Sequence, residues 1–332
     1  MHIPSGSGGL IEKSRSYGLL FSIALYLDTI GRVCYNDYIL NRERKTTMKI
    51  SVSSYSFQKY INAGKLAHFD VIKQAHDMGF EAIEFIDLPA PSYEEQIAYA
   101  HKLRAEADKY GMTINAYTIG GNLYQATAEG SAAEVKRLCG QVDIAEILGC
   151  SVMRHDVCYT IGKMGTSRSF GLMLPTIAEN TRAVTEYAAA KGIKTCTENH
   201  GYVAQDSYRV EQLFNAVAHD NYGLLVDIGN FVCADEDNVT AVSRVAPYAI
   251  HVHAKDMHKS ATPIPGFSQT RGCNYFKGAI VGEGDCNVEK CLKILKKAGY
   301  DGYCSIEFEG AQDCIEGISK GFENLKAMLQ RI

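Results

Sequence analysis

No C-x-x-C pair occurs among the eleven cysteines, and Cys286 and Cys291 are five apart, which suits no common zinc spacing. A thiolate-held zinc is therefore not expected. The cysteines, among them Cys196 and Cys304 inside predicted strands, read as reduced, buried small hydrophobes of a cytoplasmic protein. No basic stripe stands out, and the net charge is −4. That counts against a nucleic-acid partner held by phosphate contacts. No G-x-G-x-x-G follows the first predicted strand, which argues against a dinucleotide fold. The Gly-rich GAIVGEGD (278–285) lacks the lysine and spacing of a P-loop, so no phosphate cradle is visible. The apolar stretch Tyr17–Leu27 is too short to span a membrane.

What is present is ordinary globular material: 332 residues, 46% hydrophobic and 22% charged. That suffices for one large core, and α/β barrels use such a length as a single domain. Residues 1–47 show no strand–helix rhythm and carry GSGG (6–9) and NRERK (41–45). Lys13 and Arg15 precede Tyr17–Leu27 in the manner of a short signal segment, but no small-residue cleavage site follows. The expectation is an N-terminal extension over 1–47, outside the fold, and one domain over 48–332.

From Met48 onward, strand-like and helix-like segments alternate. The strands expected are 49–57, 82–87, 113–119, 151–156, 193–198, 222–227, 249–254 and 302–308. Apolar-periodic segments between them include 69–79, 94–111, 132–149, 174–192, 288–299 and 314–330. Gly79, Gly111, Gly149, Gly192 and Gly299 each stand where a helix must turn back toward a strand. The pattern predicts a (β/α)8 TIM barrel, with a doubly wound open sheet as the runner-up. A long loop over roughly 256–301 is expected to shape a substrate pocket.

Four segments carry the chemistry: TCTENHG (195–201), LLVDIGNF (224–231), HVHAKD (251–256) and YCSIEFEG (303–310). Each strand ends in a group able to bind a metal: Glu198, Asp227, His253 and Glu307. Strand alternation sends Leu224, Val226, Ile250, Val252, Ile306 and Phe308 outward, and Asp227, His251, His253, Ser305 and Glu307 inward. A single strand-end carboxylate usually caps a helix or pairs with a cation, and His251 reads as a satisfied lumen histidine. Four such groups on four strands point instead to one divalent ion. Oxygen-rich ligation with one imidazole favours Mn2+, with Co2+, Mg2+ or Zn2+ as the other candidates.

Taken together, E-N-H-G, D-I-G-N-F, H-V-H-A-K-D, G-E-G-D and S-I-E-F-E resemble the sugar phosphate isomerase/epimerase superfamily, the xylose-isomerase-like TIM barrels, over about 48–330. The resemblance implies that Glu198, Asp227, His253 and Glu307 are the metal ligands, with H-x-K-D selecting His253 over His251. It implies a sugar isomerase or epimerase that abstracts a proton beside a carbonyl through a metal-stabilised enediolate, with Glu198 and Glu307 as the bases. His200 is an alternative base. Arg154, His155, Glu84 and Lys255 are expected substrate contacts. Relatives often carry His where this chain has Asn230, which departs from a substrate contact there and from the three-zinc apurinic-site endonucleases. Two alternatives stand beside this reading: the catalytic subunit of a C-glycoside-cleaving lyase acting on 3-oxo-glycosides with a small partner subunit, and a non-catalytic sugar-binding barrel. The expected partner is a small carbohydrate, with no nucleic acid and no membrane; a homo-oligomer is compatible with the chain.

Overall fold

The computed structural model describes residues 48–159 and 169–332, so the expected extension over 1–47 lies outside the described residues. The chain opens with β1 (Lys49–Ser53), a 3-10 turn over Ser54–Phe57 and α1 (Gln58–Asn62). The strand expected over 49–57 stops at Ser53, whose hydroxyl accepts from the Tyr55 amide and turns the chain. There follow α2 (Asp70–Asp77), β2 (Ala82–Ile86), α3 (Tyr93–Lys109), β3 (Thr113–Ile119), α4 (Ala128–Leu148) and β4 (Val152–His155). Next come α5 (Phe170–Ala189), β5 (Lys194–Glu198), α6 (Ser207–Val217), β6 (Tyr222–Asp227), α7 (Asn238–Val245) and β7 (Ala249–Ala254). After them stand β8 (Asp256–Ser260), β9 (Ser268–Gln269), β10 (Tyr275–Ala279), α8 (Val288–Lys297), β11 (Tyr303–Ile306) and α9 (Cys314–Arg331).

The order β1-β11-β7-β6-β5-β4-β3-β2 closes a barrel in which neighbouring strands run parallel. This is the (β/α)8 architecture, and the open-sheet alternative falls. Every barrel strand lies within 49–306. The helix-terminating glycines take the left-handed conformation the chain reversals require, from φ 63 at Gly111 to φ 95 at Gly299. Leu224, Val226, Val252, Ile306 and Phe308 join the apolar layer between barrel and helices, as alternation demands. Ser305 instead points into the lumen, where it accepts from the Ser51 hydroxyl at 2.9 Å. Cys196, Cys286, Cys291 and Cys304 are buried and form no disulfide. No helix among the described residues is long and apolar enough to cross a membrane.

The segment after β7 is not the loop expected. β8, β10 and β9 form an antiparallel sheet beside the barrel mouth. Arg271 ties it to Asp206 at 2.7 Å, and Asn274 donates to Asp235 at 2.9 Å. Asp256, buried at its base, accepts from the amides of Gly282 (3.0 Å), Gly284 (2.9 Å) and Cys286 (3.1 Å). The K-D and G-E-G-D motifs therefore belong to one structural device. The aspartate accepts from the amides of a part-buried glycine-rich turn and so holds it against the barrel.

Candidate active site

Glu198, Asp227 and His253 end or nearly end β5, β6 and β7, and Glu307 follows β11 directly. One donor atom from each lies within 4.8 Å of the others. His253 Nδ1 stands 3.5 Å from Asp227 Oδ2, 3.7 Å from Glu307 Oε1 and 3.9 Å from Glu198 Oε1. Ligands about 2.1 Å from a central ion stand about 3 Å apart when adjacent and about 4.2 Å when opposite. The spacing thus fits a divalent ion. Asp227 Oδ2 and His253 Nδ1 are also buried and lack any hydrogen-bond partner. Orphaned buried polar atoms are rare, and two that face each other make a site that an ion would complete.

The surroundings fix this cluster. His253 Nε2 lies 2.8 Å from Glu84 Oε1, and His251 Nε2 lies 2.6 Å from Glu84 Oε2. A carboxylate behind an imidazole turns the opposite nitrogen toward the ion and raises its basicity. Asn230 donates to Glu198 Oε1 at 2.7 Å, and its amide donates to Asp227 Oδ1 at 2.8 Å. Asn199 accepts from the Asp227 amide and donates to its carbonyl, which locks the end of β6. Arg154 bridges Glu198 Oε2 (2.8 Å) and Asp156 Oδ1 (2.7 Å). Lys255 bridges Glu307 Oε2 (2.8 Å) and Glu309 Oε2 (3.1 Å).

Charge coupling follows from this packing. Burial pushes the Asp227 carboxyl up to about 6 against the pull of Lys255. Burial works the same way on Glu307, but Lys255 and His253 hold that carboxyl down at about 2. Burial opposes the charged form of Lys255, yet Glu307 and Glu309 raise its pKa well above the ordinary range. Burial likewise opposes His200, and Asp156 raises it. Opposite charges outweigh desolvation at Glu307, Lys255 and His200, whereas at Asp227 burial wins.

Above the cluster opens a cleft of about 240 Å3, walled by Tyr55, Asp87, Tyr159, His200, Lys255 and Glu309. Among the expected substrate contacts, Arg154 and Lys255 line it. Glu84 and His155 do not. Glu84 is completely buried, and β2 runs two residues beyond it, so it holds His253 and His251 rather than a hydroxyl. His155 faces the helix layer, is completely buried, and has Nδ1 3.0 Å from the Asp156 carbonyl. On a strand whose Arg154 points inward, the neighbour must point outward. The same rule brings Asp156 into the cleft, where both its oxygens lie 3.1 Å from His200 Nδ1. Applied to R-H-D at 154–156, alternation identifies Asp156 and excludes His155. Asn230 takes up Glu198 instead of standing free for substrate.

A family model described as xylose isomerase-like TIM barrel matches residues 72–328. The chain belongs to the xylose isomerase-like TIM barrel family. An inosose dehydratase from Clostridium perfringens, found in two strains, is 28% identical over 138 residues. That match covers 40% of this chain and 46% of the relative, so it spans about half of that protein's length. Among solved structures of similar fold, a xylose isomerase-like TIM barrel protein from Mycobacterium smegmatis in complex with magnesium is 17% identical, with a TM-score of 0.63 over 86% of this chain and 96% of its own. The probable 3-DHS dehydratase AsbF from Bacillus anthracis is 16% identical, with a TM-score of 0.62 over 84% of this chain and 99% of its own. At these identities the two structures bear on the fold alone.

Proposed function

We propose that this chain is a divalent-metal-dependent sugar isomerase or epimerase that removes the proton beside the carbonyl of a polyhydroxy ketone. The carrying observation is the four-donor cluster at the cleft floor, with Asp227 Oδ2 and His253 Nδ1 facing each other unpartnered at 3.5 Å. The ion, Mn2+ in this reading with Co2+, Mg2+ or Zn2+ in its place, would polarise the carbonyl and offset the charge that develops as the neighbouring proton leaves. Glu198 and Glu307 approach from β5 and β11, which β6 and β7 separate in the barrel. In this reading one takes the proton and the other returns it. Return to the opposite face gives an epimer; return to the neighbouring carbon gives an aldose–ketose isomer. His200 is the third group suited to this work. With its Nδ1 proton directed at Asp156, a neutral ring keeps Nε2 as an acceptor.

Identity to a protein named inosose dehydratase favours a second reading, loss of water. The same proton is removed, its electron pair forms a carbon–carbon double bond, and the C–O bond one carbon further on breaks. Lys255, kept protonated by Glu307 and Glu309, would give the leaving hydroxyl its proton.

One experiment separates these outcomes. Metal-loaded protein is incubated in D2O with ketoses and with inosose, and products are read by NMR and mass. Deuterium in an intact carbon skeleton supports isomerase or epimerase. A product lighter by one water supports the dehydratase. No exchange and no water loss with Mn2+, Co2+, Mg2+ or Zn2+ would sink both.

A further inference from the structure

Tyr202 stands two residues beyond His200 with φ 65, and Gly201 before it has φ 78. Left-handed backbone is disfavoured at a tyrosine and persists where the surroundings fix it. Here side chains hold the peptide groups on both sides of the residue. The Tyr202 amide donates to Gln205 Oε1 at 2.8 Å, and its carbonyl accepts from Arg271 Nη2. Gln205 is buried and gives its side-chain hydrogens to the Asn199 carbonyl (2.9 Å) and the Asn230 carbonyl (2.8 Å). Asn199 pairs with the Asp227 backbone, and Asn230 donates to Glu198 and Asp227. Three carboxamides thus join the turn after β5 to the turn after β6, and through them to the candidate donors Glu198 and Asp227.

Arg271 reaches this turn from the inserted sheet. It sits between β9 and β10, outside the four-donor cluster and off the cleft wall. Asp235, on the segment after β6, grips the β9–β10 turn. It accepts from the Thr270 hydroxyl at 2.5 Å, from Asn274 at 2.9 Å and from the Gly272 amide. So placed, Arg271 donates its backbone amide to the Cys233 carbonyl at 2.9 Å and its guanidinium to Asp206 (2.7 Å) and Tyr202. One residue therefore bonds to the segments following both β5 and β6. Further along the same sheet, β10 packs on the segment after β11, where a Cβ at Gly278 would come 2.6 Å from the Glu309 carbonyl oxygen. β8 itself continues from β7. The insertion thus touches the segment beyond each of the four strands that bring a donor to the cluster.

Resting on the metal reading above, we infer that Arg271 and Gln205 are positioning residues for the ion, which set Glu198 and Asp227 from outside by pinning the Tyr202 turn. Like charges push the carboxylates of the cluster apart when no ion is bound. Donors held in place by the backbone behind them lose less freedom on binding, so the ion binds more tightly. The planar fork of Arg271 reaches the Asp206 carboxylate and the Tyr202 carbonyl together, which a lysine does not. Groups directly behind metal ligands change affinity about 10–100-fold, and Arg271, one bond further out, contributes less.

The test is titration of the metal-stripped full chain with Co2+, read by visible absorption and by competition with a chelating dye. Gln205→Met should bind roughly tenfold or more weakly than the wild type, and Arg271→Gln roughly threefold or more. Both should shift the Co2+ absorption bands, which report ligand geometry rather than stability. Arg271→Lys should fall between Arg271→Gln and the wild type. Arg331→Gln, which breaks the exposed pair with Glu289 between α9 and α8, should match the wild type. Arg271 is exposed, so metal-free Arg271→Gln should melt within about 3 °C of the wild type. Its affinity and bands decide the inference even where Gln205→Met fails to fold. If the wild type binds Co2+ and Arg271→Gln matches Arg331→Gln in both readouts, the inference is overturned and the metal reading stands. A wild type that takes up no Co2+ would overturn both.

Discussion

Asp227 is held at a cost. Burial raises its carboxyl to about 6, Glu307 and Glu198 add negative charge beside it, and Oδ2 has no hydrogen-bond partner. Removing the charge should therefore not destabilise the metal-free protein. We expect metal-stripped Asp227→Asn to melt at or above the wild type. The wild type should gain roughly 5–10 °C at a hundredfold excess of ion over its Kd, equivalent to about 2.7 kcal/mol, and the variant should gain none. Thermal melting during metal titration checks this; an equal gain in both proteins removes Asp227 from the ligand set. Glu84→Gln should weaken metal binding about 10–100-fold through its effect on His253, read by competition with a chelating dye. Unchanged affinity would make Glu84 a simple lumen filler. A third residue reports on pH. Burial pushes His68 down to about 4, with its Nδ1 2.8 Å from the Tyr99 hydroxyl. The unfolded chain takes up this proton first, so its contribution is complete above pH 6.5 and is lost as pH falls through 4. The loss amounts to at most about 3 kcal/mol. Urea titrations at pH 7 and pH 4.5 should show a smaller drop in His68→Gln than in the wild type, and matching drops would refute the assignment.

Elements decide which of these side chains meet. The convergence of Glu198, Asp227, His253 and Glu307 was legible because each falls where a strand with clear alternation ends, and β6 and β7 run over the residues expected. β4 shows the opposite case. Its strand-end triplet offered three polar residues, and only the inward parity of Arg154 selects Asp156 over His155. The insertion after β7 was less legible still. Its short antiparallel strands pair with each other rather than with the barrel, and β9 has only two residues, too few for a periodicity. Asp256 is the anchor of that region, and the Cβ of an alanine at position 284 would come 2.3 Å from its Oδ1. Asp256→Asn should cost about 1–3 kcal/mol by removing one of the two carboxylate oxygens that the Gly282, Gly284 and Cys286 amides share, and Gly284→Ala about 1–3 kcal/mol by overpacking. Urea denaturation measures both, and values within 0.5 kcal/mol of wild type would show that the turn is not held this way.

At the scale of the whole molecule, barrel closure brings Glu84 of β2 against His251 and His253 of β7, 167 and 169 residues further along the chain. Because all barrel strands lie within 49–306, a chain beginning at Met48 should refold cooperatively and keep the metal-dependent rise in melting temperature. Loss of that rise on truncation would show that the preceding residues take part in the site. The sequence by itself determined the strand–helix alternation, the barrel class and the four strand-end polar groups that come together as a candidate metal site. Hydrophobic periodicity, helix-ending glycines and side-chain parity are local properties, written within each strand and helix. Only the tertiary structure decided which polar groups join the four-donor cluster, which serve one another and which face the cleft. Glu84, Asn230, Asp156 and Asp256 owe their roles to partners on other strands or across long loops. A side chain's hydrogen-bond partner is set by closure and shear of the barrel, which no local pattern encodes.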